Sequence, residues 1–130
     1  MDKLPLTSLA TLICGGVYFW TLALVGKARG KYNVPAPSVT GNEMFERCFR
    51  VQMNTIEQIL LLLPAMWLCA FWVGDGWAAL GGLVWAAGRV LYARLYQADP
   101  AKRGPGFALT VIPSVVMAVA AFVAVIFHVL

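Results

Sequence analysis

Four apolar stretches divide the chain, and turn-forming residues separate them. From Leu4 to Gly26 no residue is charged, and a spanning helix needs about 20 apolar residues. This stretch is read as a helix over about 4–29, retained as a span rather than removed as a leader. Gly30, Pro35, Pro37 and the Gly41-Asn42 pair then mark a loop. A second helix is expected over about 43–72, with Asn42 as its N-cap. The turn "VGDGW" is short, which makes helices two and three antiparallel neighbours. Helix three is expected over about 77–98, where "DPAKRGPG" ends it. Helix four covers about 106–130 and holds Pro113, read as a kink rather than a stop.

Two of these helices depart from an apolar pattern. In "FERCFRVQMNTIEQ", Arg47, Arg50, Asn54 and Glu57 are separated by three, four and three positions and so share one helix face. Gln52 lies roughly 200° from Arg50 at 100° per residue, on another face. Helix three repeats the device with Arg89, Tyr92 and Tyr96, spaced by three and four. Asp99 and Arg103 would extend that line, but Pro100 and Gly104 interrupt it. Ala78, Gly82 and Ala86 form a small-residue face suited to close helix contact.

Composition fixes the solvent. Of 130 residues 61% are apolar and 12% charged, with mean hydropathy +0.76, about half the charged fraction of a soluble domain. The chain is read as one domain over 1–130, an all-α integral membrane protein built as a four-transmembrane-helix bundle. Cys14, Cys48 and Cys69 sit in apolar runs at no metal-like spacing, so they are read as small buried side chains and no metal is expected. Nine of the ten Lys and Arg residues lie in or beside the first and third loops. By the positive-inside rule those loops face the cytoplasm and both termini lie opposite. The +4 net charge therefore reports topology, with no nucleic-acid partner.

Three arrangements fit the polar stripes. The arginines and tyrosines can sit at the headgroup level, as snorkelling and belt residues. Arg50, Asn54 and Glu57 can form a closed structural network. Or the stripes can line a polar pocket in the cytoplasmic half, suited to a small zwitterion with more than one carboxylate and an amine.

The helix-two stretch, together with "RVLYARLYQADPAKRGPGF" in helix three and the third loop, resembles the membrane-associated proteins in eicosanoid and glutathione metabolism, over essentially the whole chain. The resemblance implies a homotrimer with a glutathione site between neighbouring subunits. It implies that Arg50, Asn54, Glu57, Tyr92 and Tyr96 bind glutathione from one subunit, and that Arg29 and Gln52 reach in from the next. It makes Arg103 the catalytic residue that stabilises the glutathione thiolate. A thiol with a pKa of about 8.5 is mostly protonated at neutral pH, and a guanidinium at a helix N-terminus lowers that value. Lys102 is the rival for the role.

Two positions depart from the leukotriene-forming members: Gln58 stands where they have a tyrosine, and Gly30 stands where they have the second of two arginines. The implied activity is accordingly a membrane-bound glutathione S-transferase or glutathione-dependent peroxidase. Glutathione is co-substrate, and lipophilic electrophiles arrive from the surrounding lipid. The alternatives are a small four-span transporter, which would normally carry a carboxylate within its first helix, and a non-catalytic family member.

Overall fold

A computed structural model describes residues 3–130. Helix α1 covers Pro5–Tyr32, α2 Glu43–Trp72, α3 Asp75–Ala98 and α4 Gly104–Val129, with a 3-10 turn at Pro100–Lys102 ahead of α4. Among the described residues three helices are long and apolar enough to cross a membrane: α1, α2 and the stretch Pro100–Val129 that contains α4. The four pack as an antiparallel bundle whose outer surface carries Leu12, Phe19, Phe122 and Phe127. Those side chains need lipid or another apolar surface to cover them.

α1 continues three residues past Arg29, because Gly30 alone does not stop a helix. It ends where Asn33 takes a left-handed conformation at φ 54° and returns its amide to the Arg29 carbonyl. Asn42 caps α2 by accepting from the Phe45 amide at 3.0 Å. Pro64 and Pro113 are accommodated inside α2 and α4 without ending them. α3 starts at Asp75, two residues earlier than its apolar run. Arg47 donates to the carbonyls of Gln97 and Ala98 at 2.9 and 3.0 Å, placing a cation on the negative end of α3.

The core at the end away from loops one and three is built on Trp85, Met66, Leu62 and Cys14. The face Ala78-Gly82-Ala86 is buried, and the Cys14 thiol donates to the Gly82 carbonyl at 3.3 Å. α1 has no side-chain cap of its own. Asp75, ahead of the apolar part of α3, supplies one from outside. Its carboxylate accepts from the Leu6 and Thr7 amides at 3.0 and 2.7 Å, and the Thr7 hydroxyl donates to its backbone carbonyl at 3.2 Å.

Partial desolvation pushes the Asp75 carboxyl up, but the Thr7 side chain and the Thr7 and Leu6 amides outweigh it and hold it below the ordinary aspartate value. A carboxyl depressed by folding adds stability that is fully present above its unfolded pKa of about 4 and is lost as pH falls through the lower folded value. Asp75→Ala is therefore expected to lower the melting temperature in detergent at neutral pH. The gap from the parent protein should narrow as pH drops below about 4. Thermal unfolding followed at several pH values checks this, and a gap independent of pH would remove the carboxylate from the account.

Candidate functional site

At the end of the bundle that carries loops one and three, α2, α3, the 3-10 turn and the start of α4 surround a cavity of about 640 Å³. The stripe on α2 contributes Arg50 and Asn54, and that on α3 contributes Tyr92 and Tyr96. The last wall comes from Arg103, Gly104 and Phe107. Five of the eight residues proposed from sequence thus meet around one space, although the helix stops at Ala98 between Tyr96 and Arg103.

The interruption itself positions Arg103. Asp99 leaves the helix in an extended conformation, and its side chain accepts from the Ala101 amide at 3.0 Å, which folds Pro100–Lys102 into a tight turn. Arg103 then serves as the N-cap position of α4, with no side-chain cap bond at that terminus. Its Nη1 donates back to the Pro100 carbonyl at 3.0 Å, and the guanidinium remains on the cavity wall. An arginine and the positive end of a helix therefore address the same space. The approach is tight: an added Cβ at Gly106 would lie 2.4 Å from the Tyr92 nitrogen and 2.5 Å from its Cα. Only glycine lets α4 begin directly against α3 at that point.

Glu57 is half exposed and not itself among the lining residues, and it joins the wall through two neighbours. Arg50 Nη1 lies 3.4 Å from Glu57 Oε1, and Asn54 Nδ2 donates to Glu57 Oε2 at 3.1 Å. Both partners of the Arg50–Glu57 pair are about half exposed, so the pair adds little to stability and keeps its charges open to a ligand.

Arg89, which spacing placed at the head of the α3 stripe, is the stripe residue to which the resemblance gave no binding role. It is fully buried and donates from Nη1 to Asn54 Oδ1 at 3.0 Å and from Nη2 to Thr55 Oγ1 at 3.1 Å. Its guanidinium carbon lies 4.0 Å from the centre of the Tyr92 ring, a cation–π contact. Tyr92 stacks in turn on Tyr96, with ring centres 5.5 Å apart. Asn54 is held by donation from Arg89 at its oxygen and by Glu57 at its nitrogen, so both ends of its amide are assigned. The chain Arg89–Asn54–Glu57–Arg50 links a buried cation to a surface one through a dipole and a carboxylate.

Arg29 and Gln52 lie away from this cavity. Arg29 Nη1 donates to the Val34 and Ser38 carbonyls at 3.1 and 2.7 Å, and its guanidinium covers the Phe45 ring at 4.8 Å. It therefore fastens the first loop. Gln52 is buried and donates to the Tyr18 hydroxyl at 3.2 Å, on the α1 side of α2. No group of three or more His, Cys, Asp or Glu side chains converges among the described residues.

The cavity can bind anionic groups through Arg50 and Arg103, an amine through Glu57, and a thiol beside Arg103 and the α4 terminus. The MAPEG family model matches residues 7–123. An uncharacterized protein of Synechocystis sp. is 42% identical over 123 residues, which is 95% of this chain and 87% of that protein. Microsomal glutathione S-transferase 2 of Homo sapiens is 41% identical over 86 residues, covering 66% of this chain and 58% of its own length. Leukotriene C4 synthase of Bos taurus is 31% identical over 102 residues, covering 78% and 68%.

Proposed function

Because the chain belongs to the MAPEG family, an integral membrane family with glutathione enzymes among its members, we propose that it is a membrane-bound glutathione S-transferase, with glutathione-dependent peroxidase activity as a companion. The observation that carries this reading is the meeting of Arg103 and the α4 N-terminus with Arg50, Asn54, Tyr92 and Tyr96 around one cavity. Arg50 pairs with a glutathione carboxylate, Glu57 takes the amine, and Asn54 and the tyrosines orient the peptide. Arg103 and the helix terminus stabilise the sulfur as a thiolate, and the thiol proton leaves to water. The sulfur lone pair then forms the bond to an electrophilic carbon, and the leaving group departs with its electron pair.

In this reading three copies assemble into a trimer with one glutathione site between each pair of neighbours. Arg29, which fastens the first loop, and Gln52, buried against Tyr18 on the α1 side of α2, lie away from their own cavity, and in this reading they serve the site of the adjoining copy. The positive loops face the cytoplasm, so glutathione enters from there while lipophilic electrophiles arrive from the bilayer.

Purified protein should either conjugate glutathione to an aryl halide or an epoxide, or reduce a lipid hydroperoxide to its alcohol and water while two glutathione molecules become the disulfide. Arg50→Ala and Glu57→Gln should each weaken glutathione binding by about tenfold or more, the effect of removing a charge-assisted hydrogen bond. Titration calorimetry of both variants checks this, and unchanged affinity in both would refute the assignment of the cavity.

A further inference from the structure

α1 and α3 lie side by side and run in the same direction. Thr7 is bonded to Asp75 and Cys14 to Gly82, so both contacts join residues 68 positions apart. Carried along the pair, this register sets Arg94 level with Gly26, beside Lys27, and puts Lys31 one turn further towards the first loop. At about 1.5 Å per residue along a helix and about 8–10 Å between packed axes, the Cα atoms of Lys27 and Arg94 lie roughly 10 Å apart. Side chains of this length then reach a common anion from both helices.

The faces agree with this placement. Trp20, Lys27 and Lys31, spaced by seven and four, share one side of α1. Trp20 packs against the cluster of Val51, Tyr92 and Ala93, which turns that side towards α3. Arg29, two positions from each lysine, points about 200° away and covers Phe45 of α2. On α3, Ala86, Val90 and Arg94 pass from buried through half-buried to exposed at steps of four, so Arg94 stands at the rim of the side packed on α1. That rim is about 120° or more round the helix from Gly81 and Gly88, which meet α4 at Met117 and Leu109. Lys27, Lys31 and Arg94 are exposed, and among the described residues none of them pairs with a carboxylate. The acids of this end are engaged elsewhere: Glu43 by Arg47, Glu46 by the Gly41 amide, Glu57 by Arg50 and Asp99 by the Ala101 amide.

We propose that Lys27, Lys31 and Arg94 form a site for an anionic phospholipid, in the leaflet on the side of loops one and three. The phosphodiester sits among the three cations, and the acyl chains run down the seam over Trp20, Leu24 and Val90, each half-buried. Charge complementarity selects the lipid. A zwitterionic phospholipid offers the same phosphate but carries an ammonium group that the three cations repel, whereas an anionic one brings no cation. The site lies on the side of α1 opposite Arg29, away from the polar cavity between α2, α3 and α4. It therefore stands or falls independently of the transferase reading.

The test uses the intact purified protein in phosphatidylcholine vesicles that carry a small fraction of brominated-chain phosphatidylglycerol or of brominated-chain phosphatidylcholine. Bromine quenches indole on contact, and the Trp20 share of the quenching is the difference from Trp20→Phe. Brominated phosphatidylglycerol should quench Trp20 at a mole fraction at least about tenfold lower than brominated phosphatidylcholine. Arg94→Gln and Lys27→Gln should each cut that preference about fivefold, the share of one cation beside an anionic lipid. Lys102→Gln removes the same charge from the same end of the bundle, and should leave the preference within about twofold. Taking the preference as a ratio of the two lipids cancels any loss of folded protein. Equal quenching by both lipids in the parent protein overturns the proposal. So does an equal loss in Arg94→Gln and Lys102→Gln, which marks diffuse surface charge and no site. Millimolar inorganic phosphate should not displace the lipid; displacement would make the ligand a free anion and overturn its assignment as a phospholipid.

Discussion

Arg103→Ala is expected to abolish the ultraviolet signal of bound thiolate and to lower kcat by about 10²–10³, the usual cost of deleting one donor aimed at developing charge. Glutathione should still bind within a few-fold of the parent affinity, because Arg50, Asn54 and Glu57 remain in place. The reason lies in the turn that delivers the residue. Its guanidinium is anchored by one bond to Pro100 and faces the cavity at the mouth of α4. Arg103→Lys should recover part of the signal, since a point charge replaces a fork of donors. Lys102→Ala should leave the signal intact, because Lys102 is not among the residues around the cavity. Difference spectra and pre-steady-state kinetics on the three variants decide the matter. A full thiolate signal in Arg103→Ala would move the role elsewhere.

Gly106→Ala is the second substitution with a large expected effect, although it adds a single methyl group. That methyl meets the nitrogen and Cα of Tyr92 at 2.4 and 2.5 Å, and backbone cannot step aside as a flexible side chain would. The two helices must separate, at a cost of about 1–3 kcal/mol or more for an overpacked core. Separation also draws Arg103 and Phe107 away from Tyr92, so activity should fall more than tenfold in the protein that remains folded. Gly104→Ala is the matched control, as a Cβ there meets nothing within 4 Å. Melting temperature and kcat/KM measured on both variants test the contact. Equal, small effects at the two glycines would show that it carries no weight.

Much of the site was legible in the chain because helical spacing reports which side chains share a face. The three-four spacing of Arg50, Asn54 and Glu57, and of Tyr92 and Tyr96, brought these residues to one end of the bundle. What periodicity could not reveal was the depth of Arg89. Its spacing placed it with the tyrosines, yet only the packing of α2 against α3 turns it inward to Asn54 and Thr55. Nor does sequence report close approach. Gly106 reads as one more residue in a proline-glycine break until Tyr92 is seen beside it. Glu57 has the spacing of a lining residue but is not among those around the cavity, which it meets through its bonds to Arg50 and Asn54. The longer α1 has a similar cause: the terminating conformation belongs to Asn33 and not to Gly30.

The carboxylate of Asp75 has a consequence for the order in which the protein is made. α1 leaves the ribosome first, and its opening amides find their acceptor on a residue nearly seventy positions later. The first span can enter the bilayer by its hydrophobicity alone, yet its N-terminal turn is complete only when α3 arrives alongside. The bond thus records the closing of the bundle, a step that follows insertion and is distinct from it. Loss of Asp75 would accordingly leave four correctly threaded helices that are slow to settle against one another.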